Sequence, residues 1–136
     1  MIADLGATNW KGRAELWLDP LGDEVVCSDC AMVVTEAGLE YTWRHGEKAQ
    51  QGKLALTPAG ADFSDSFHSP QVMKCRHRAG GWGILQVEGR YGPDADWGWR
   101  IGLSLRAPSG ELVFQMTNIA PWGEEVRAVR MVCSPE

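Results

Sequence analysis

The sequence predicts an all-β protein, a single antiparallel up-and-down β-barrel of about ten strands. From about residue 12 to the C-terminus, apolar and polar side chains alternate in short runs that glycine-containing turns separate. Trp97–Leu105 shows the pattern clearly, because its odd-numbered side chains are all apolar and its even-numbered ones are small or polar. A period of two over this length is typical of a strand with one buried face.

Ten runs of this kind follow one another, and each ends where residues that favour turns accumulate. The strands are predicted, in chain order, at residues 12–18, 24–36, 39–45, 50–57, 61–68, 71–78, 82–91, 97–105, 111–119 and 124–133. The clearest turn signals lie at residues 19–23, 37–38, 46–48, 58–60, 69–70, 79–81, 92–96, 108–110 and 121–123. Residues 1–11 are expected to form a lead-in with a short helical turn.

The short connections determine the predicted topology. Consecutive strands joined by tight turns pair antiparallel, since a parallel crossover needs a dozen or more residues. A meander of this size closes into a barrel, because closure removes the exposed edges. A sandwich of two sheets is the alternative. Residues 1–136 are long enough for one domain with its own core.

Charge and composition exclude some functions. The chain has a net charge of −5 and a pI near 5.2, so it lacks the basic footprint of a nucleic-acid-binding protein. A local basic strip at 74–78 is interpreted as a solvated strand face. The N-terminus has no basic segment followed by a long apolar run, so we expect no membrane association and a cytoplasmic protein with reduced cysteines.

Aromatic and polar residues on the predicted inner faces suggest a ligand-binding cavity. The chain has seven tryptophans: Trp10, Trp17, Trp43, Trp82, Trp97, Trp99 and Trp122. A mainly apolar cavity with a few polar groups is the usual form of a small-molecule site. The inward candidates are Tyr41, Trp43, Phe63, Asp65, Phe67, Met73, His77, Trp97, Trp99, Phe114 and Met116.

Two of these candidates are ionisable. A buried aspartate costs several kcal/mol unless it has a partner, and His77 on the neighbouring strand is the expected partner of Asp65. The other interpretation of Asp65 is a structural role at a bulge or turn.

Several segments carry a resemblance to a known family. They are Gly6-x-x-x-Trp10-x-Gly12, Leu16-Trp17-Leu18-Asp19-Pro20-Leu21-Gly22, Asp65-Ser66-Phe67-His68, Gly98-Trp99-Arg100-Ile101 and Asn118-Ile119-Ala120-Pro121. With the ten-strand meander, they make the chain resemble the calycin group of lipocalins and fatty-acid-binding proteins, and most of all the bacterial lipocalin-like domains of unknown function. The resemblance implies a barrel with a cavity. It also implies that an arginine near the end of the barrel, Arg127 or Arg130, covers Trp10, the tryptophan of the Gly6-x-x-x-Trp10 motif, and Arg130 joins the ligand-binding candidates.

The cysteines and histidines offer alternatives with a metal. Cys27 and Cys30 are three apart on a predicted strand, so their side chains point to opposite faces and do not converge on one ion. Cys75 and His77 would be the remaining ligands of such a site. A haem bound by His45, His68 or His77 is a further alternative. We predict no metal and no cofactor.

Three functions follow from this sequence. The first is binding of a small apolar or aromatic molecule in the barrel cavity. The second is a filled barrel that acts through protein contacts, with a homodimer as one form. The third is an enzyme that uses Asp65 and His77 as an acid–base pair; neither a Gly-x-Ser-x-Gly nucleophile elbow nor a phosphate-binding glycine loop occurs in the sequence.

Overall fold

The computed structural model describes residues 5–6, 8–79 and 83–136. Ten strands form one closed barrel, in which each strand pairs antiparallel with its neighbours along the chain and β1 pairs with β10. The strands are Asn9–Trp17 (β1), Val25–Thr35 (β2), Gly38–His45 (β3), Lys48–Thr57 (β4), Gly60–Asp65 (β5), Ser69–His77 (β6), Leu85–Tyr91 (β7), Trp97–Arg106 (β8), Glu111–Ile119 (β9) and Glu125–Pro135 (β10). The predicted fold class is confirmed. The predicted turn glycines Gly80 and Gly81, and Trp82, lie outside the described residues.

The barrel closes where β1 lies between β2 and β10. Gly12 faces Cys30 on one side and Cys133 on the other. A side chain at Gly12 would overlap the backbone of β10 at Val132. A glycine therefore lets the first strand sit close to the last strand.

Most strand limits lie within two residues of the prediction, and the three larger differences are at the start of β1, the end of β5 and the start of β7, which begins at Leu85 instead of residue 82. β1 begins at Asn9, three residues before the predicted start. β5 ends at Asp65 instead of continuing to residue 68, and β6 begins at Ser69. The early end of β5 has a local cause, because the Asp65 side chain accepts hydrogen bonds from the next backbone N–H groups and turns the chain.

Large side chains fill the middle of the barrel. The largest of the fully buried side chains are Trp10, Trp43, Phe63, Phe114, Leu16, Met32, Leu54, Ile101, Leu103, Leu112, Met116 and Met131. Glycines on neighbouring strands make room for some of the interior side chains. Gly89 lies against Met73 and Cys75, where an added Cβ would come within 2.8 Å of both sulfur atoms.

Alternate hairpin turns lie at opposite ends of an up-and-down barrel, so the connections at residues 18–24, 46–47, 66–68, 92–96 and 120–124 share one end. We call this end the aromatic end. Five of the described tryptophans lie in or near it: Trp17, Trp43, Trp97, Trp99 and Trp122. Trp10 lies toward the opposite end of β1. Aromatic side chains are therefore concentrated at one end of the barrel.

No helix in the part of the chain that the structure describes is long and apolar enough to cross a membrane.

The position of Gly52 yields a stability prediction. Gly52 pairs with Tyr41, and a Cβ at Gly52 would overlap the tyrosine ring. We expect Gly52→Ala to lower the free energy of unfolding by about 1–3 kcal/mol, the usual effect of overpacking a core. Urea denaturation followed by circular dichroism measures it.

Gly98→Ala is the matched control, because the atom nearest to its added Cβ belongs to the flexible side chain of Arg90, at 3.2 Å. Equal losses of stability in the two variants would contradict this account of the interior.

Candidate functional site

A buried carboxylate lies where the filled interior meets the aromatic end. Asp65, the last residue of β5, is 2% exposed. Its Oδ2 accepts a hydrogen bond from the hydroxyl of Tyr41. Its Oδ1 accepts the backbone N–H groups of Phe67 at 2.7 Å and His68 at 2.8 Å, and lies 3.3 Å from Nδ1 of His68. Both oxygens therefore have partners, as burial of a charge requires.

These contacts determine the charge of Asp65. Burial opposes its ionisation, but the hydrogen bonds and charge interaction with His68, together with the Tyr41 hydroxyl, outweigh burial and lower the pKa of Asp65. Burial and the neighbouring carboxylate raise the pKa of Tyr41 well above its usual value. Tyr41 is therefore a neutral donor beside an ionised acceptor.

The turn that follows Asp65 is fixed to the neighbouring strand. The hydroxyl of Ser66 donates to Oε1 of Gln50 at 2.6 Å, and Oγ of Ser66 accepts the N–H of Gln51 at 3.0 Å. The N–H of Ser66 also donates to the carbonyl of Gln51 at 2.8 Å. These bonds to β4, with those to Asp65, position the backbone of His68.

Aromatic rings surround the imidazole of His68. Its ring centroid lies 4.9 Å from that of Phe67, 5.5 Å from Trp99 and 5.9 Å from Trp43. The side chain is only 7% exposed. Within the described residues, its second nitrogen, Nε2, has no hydrogen-bond partner. The ring is thus oriented by Asp65 and leaves one nitrogen for another group.

Further rings continue from Trp99 along the barrel end. Trp99 stacks on Tyr91 with centroids 5.8 Å apart and planes 15° apart. The ring centroids of Tyr91 and Trp97 are 6.3 Å apart, and those of Trp97 and Trp122 are 5.6 Å apart. The Tyr91 hydroxyl donates to Oδ1 of Asn118 at 2.6 Å, which holds the stack to β9.

The three tryptophans of this group, Trp97, Trp99 and Trp122, line a cavity of about 530 Å³, which we call the end cavity. Its lining residues come from four of the connections at the aromatic end or their flanking strands: Trp17, Leu18, Asp19, Pro20, Phe67, His68, Trp97, Trp99, Asn118, Ala120, Trp122, Glu124, Val126, Arg127 and Ala128. A cavity of this volume is within the range of small-molecule sites.

Two buried indole groups in this region are unsatisfied. Within the described part of the chain, the N–H groups of Trp43 and Trp99 have no hydrogen-bond acceptor. Buried donors nearly always have a partner, and an unsatisfied one costs about 1–3 kcal/mol. Trp99 lines the end cavity, but its N–H is buried below the surface of that cavity.

An arginine covers a tryptophan of β1, and this tryptophan is the last residue of the strand. The guanidinium of Arg127 lies 4.4 Å above the ring of Trp17, and its Nε donates to the carbonyl of Gly22 at 3.0 Å. The resemblance implied this contact for Trp10. Arg130 was expected to be a ligand-binding residue, but it lies on the outer face, where it pairs with Glu15 at 3.4 Å.

The other predicted site residues divide into three groups. Tyr41, Phe63, Met73, Phe114 and Met116 are buried in the filled interior. Trp43 and Asp65 are buried just below the aromatic end. Phe67, Trp97 and Trp99 line the end cavity.

The expected pair of Asp65 and His77 is wrong. The register pairs Asp65 with Ser69, at the start of β6, whereas His77 is the last residue of that strand and is exposed. Eight residues of strand separate the two positions, which is about 26 Å. The partner of Asp65 is His68, three residues along the chain.

The cysteines are also placed by strand geometry. Cys27 is exposed and Cys30 is buried, so the prediction that they lie on opposite faces is confirmed. Cys30 lies 3.6 Å from Cys133, sulfur to sulfur. Burial, with a smaller effect of Asp62, raises the pKa of Cys75 to about 11. Among the described residues, no group of three or more His, Cys, Asp or Glu is arranged to hold a metal ion.

Sequence reasoning missed several members of the site. The alternation places His68 in a strand and offers it only as an alternative haem ligand, and the predicted site does not include Trp17, Tyr91, Asn118 or Trp122. The segment Asp65-Ser-Phe-His68 carried a usable signal, because an aspartate followed by polar and aromatic residues often forms a turn with its own backbone N–H groups.

A comparison with protein-family models finds none that matches this chain, and a comparison with curated proteins finds no match either. The closed ten-strand antiparallel barrel is compatible with a calycin-like fold.

The lowered pKa of Asp65 yields a prediction on stability and pH. We expect Asp65→Asn to reduce the free energy of unfolding at neutral pH by about 1.5–3 kcal/mol, because it weakens hydrogen bonds to a charged group. The contribution of the carboxylate is complete above its unfolded-state pKa, 3.8, and is lost as the pH falls through the lower folded-state value. The difference in the free energy of unfolding between wild type and variant should therefore become smaller at acid pH. Urea denaturation at pH 7 and in acid tests this.

Asp62→Asn is the control on the same strand. Asp62 pairs with an exposed lysine, Lys74, at 3.6 Å, so removal of its charge should change stability little at either pH. A gap for Asp65→Asn that stays constant with pH would show that the carboxylate is not ionised in the folded protein.

Proposed function

We propose that the protein binds a small, planar and mainly apolar molecule in the end cavity. The observation that carries the proposal is the grouping of Phe67, Trp97, Trp99 and Trp122 around a cavity of about 530 Å³. Flat indole and phenyl surfaces favour a flat ligand, since stacked rings add about 0.5–1.5 kcal/mol beyond burial.

The filled interior supports this location over the centre of the barrel. Tyr41 packs on Phe114 with centroids 5.0 Å apart, and its hydroxyl lies 3.9 Å from the sulfur of Met116. Fully buried leucine, isoleucine and methionine side chains occupy the space around them. The proposed ligand therefore lies above these side chains, against the aromatic end.

The resemblance to lipocalin-like barrels supports the same class of function, because it implies a barrel that holds a small ligand. The ligands of barrels often enter between the loops at one end. The loops at 18–24 and 120–124, with the turn at 66–68, would be the entrance here.

A contact with another protein is the second candidate. Leu21 and Trp122, in two connections of the aromatic end, are 76% and 72% exposed, and Leu18 and Phe67 are exposed beside the same cavity. Apolar side chains grouped in this way favour an interface. A homodimer through the aromatic end would cover them.

Binding of the apolar fluorophore N-phenyl-1-naphthylamine tests the proposal. We expect saturable binding of one molecule per chain, seen as increased probe fluorescence with quenching of tryptophan emission. Trp122→Ala should weaken binding about two- to tenfold, the loss expected for one ring contact. Because Trp122 is largely exposed, the variant should remain folded.

Leu105→Ala is the matched control. Leu105 is also an exposed apolar residue, but it lies near the opposite end of β8. Unsaturable binding, or equal effects of the two substitutions, would contradict a site at the aromatic end. Light scattering on the same samples tests the second candidate, since a dimer through this end should dissociate in Trp122→Ala.

A further inference from the structure

We propose that His68 accepts a proton from the bound molecule, and that the ligand is a neutral aromatic compound with one weakly acidic hydroxyl, such as a phenol. The inference rests on the proposed function, because it names the ligand class of the same cavity. The juxtaposition that supports it is a histidine fixed by a buried carboxylate, beside an unsatisfied indole N–H, in an aromatic cavity.

The hydrogen bonds of Asp65 indicate the tautomer of His68. An ionised carboxylate is an acceptor only. Its Oδ1 lies 3.3 Å from Nδ1 of His68, so the ring proton belongs on Nδ1 in this contact. Nε2 of a neutral imidazole then carries a lone pair. A carboxylate behind a histidine also stabilises the imidazolium that forms when Nε2 takes a proton.

The surroundings of His68 favour a reaction with an aromatic ligand over one with water. Its side chain is 7% exposed and lines the end cavity, with the rings of Phe67 and Trp99 within 5.5 Å. In the described residues, Nε2 has no competing partner. A hydroxyl on a ring that stacks in the cavity is a chemically suitable donor to this nitrogen.

Trp99 supplies the complementary donor. Its indole N–H is buried without an acceptor among the described residues, and its ring contacts His68. When the O–H bond of the ligand breaks, the electron pair stays on oxygen and the proton forms an N–H bond at Nε2. A small rotation of the Trp99 ring, which brings its buried N–H to the cavity, gives the resulting oxyanion a second donor. The positive imidazolium faces Asp65, so no unpaired charge is left buried.

Charges around the cavity indicate that the ligand enters neutral. Asp19 and Glu124 line it, and both are acidic. Besides His68, the lining has a basic side chain in Arg127, which lies over Trp17 and donates to Gly22. A ligand that is already an anion in solution would meet two carboxylates at the entrance. A phenol avoids this repulsion and becomes an anion only beside His68.

The test compares 4-nitrophenol with 4-nitroanisole, which has the same ring and nitro group but no acidic proton. Ionised nitrophenol has its own visible absorption band. We expect the wild-type protein to bind both compounds, to bind 4-nitrophenol about tenfold more tightly, and to develop the phenolate band at a pH where free 4-nitrophenol is mainly neutral. Tenfold is the order expected for one hydrogen bond to a charged group.

Variants identify the groups responsible. His68→Gln should abolish the phenolate band and the tenfold preference while it retains 4-nitroanisole binding. Trp99→Phe keeps a ring but removes the N–H, so it should weaken the binding of 4-nitrophenol several-fold more than the binding of 4-nitroanisole. His77→Gln, an exposed histidine at the opposite end of the barrel, should behave as wild type. Circular dichroism checks folding, and Trp99→Phe decides the question if His68→Gln does not fold.

The two proposals fail in different ways. Equal affinity for both compounds, with no phenolate band, would overturn the proton-accepting role of His68 and leave the binding site in place. If neither compound binds, and the naphthylamine probe does not bind either, the proposed function itself fails. A phenolate band that persists unchanged in folded His68→Gln would also overturn the inference.

Discussion

The buried carboxylate of Asp65 connects the interior of this barrel with its aromatic end. A charge at this depth is tolerated only when donors satisfy it. The hydroxyl of Tyr41 supplies one donor from the interior, and the turn after β5 supplies the others through Phe67 and His68. The same bonds end the strand, position the turn and orient the imidazole. Removal of the charge would therefore affect core packing, turn geometry and the proposed site together.

Large side chains fill the centre of the barrel, so the candidate site lies at one end of it. Ten strands enclose more space than eight, and here Tyr41, Phe63, Phe114 and the buried methionines occupy it. Gly52 and Gly89 allow this filling, because each removes a side chain where a neighbour needs room. The end cavity is lined in part by loops, and loops tolerate sequence change better than paired strands. Sequence change in the end connections can therefore alter the lining of this cavity while the interior stays fixed.

The up-and-down topology also explains why the aromatic residues meet. Each hairpin returns the chain to the same end after two strands, so residues far apart in sequence, such as Trp17, His68 and Trp122, line one cavity. The antiparallel register then sets the pairs within it, and Trp99 lies opposite Asn118. Asn118 holds Tyr91, on which Trp99 stacks. Ring positions are therefore fixed by backbone pairing as well as by ring contacts.

The sequence by itself determined the barrel, the antiparallel order and most strand limits to within two residues, because alternation and turn residues are local signals that a closed meander leaves intact. β9 begins and ends at the predicted residues. The sequence also indicated that a buried Asp65 needs a hydrogen-bonding partner. Only the tertiary structure decided which partner, since the choice between His77 and His68 depends on register and on a turn that the Asp65 side chain itself creates. The same holds for Arg130, whose face of β10 follows from an irregularity in pairing between Arg127 and Val129. A single bulge or turn changes which face of the sheet the following side chains occupy, and the periodic pattern of the sequence does not reveal this change.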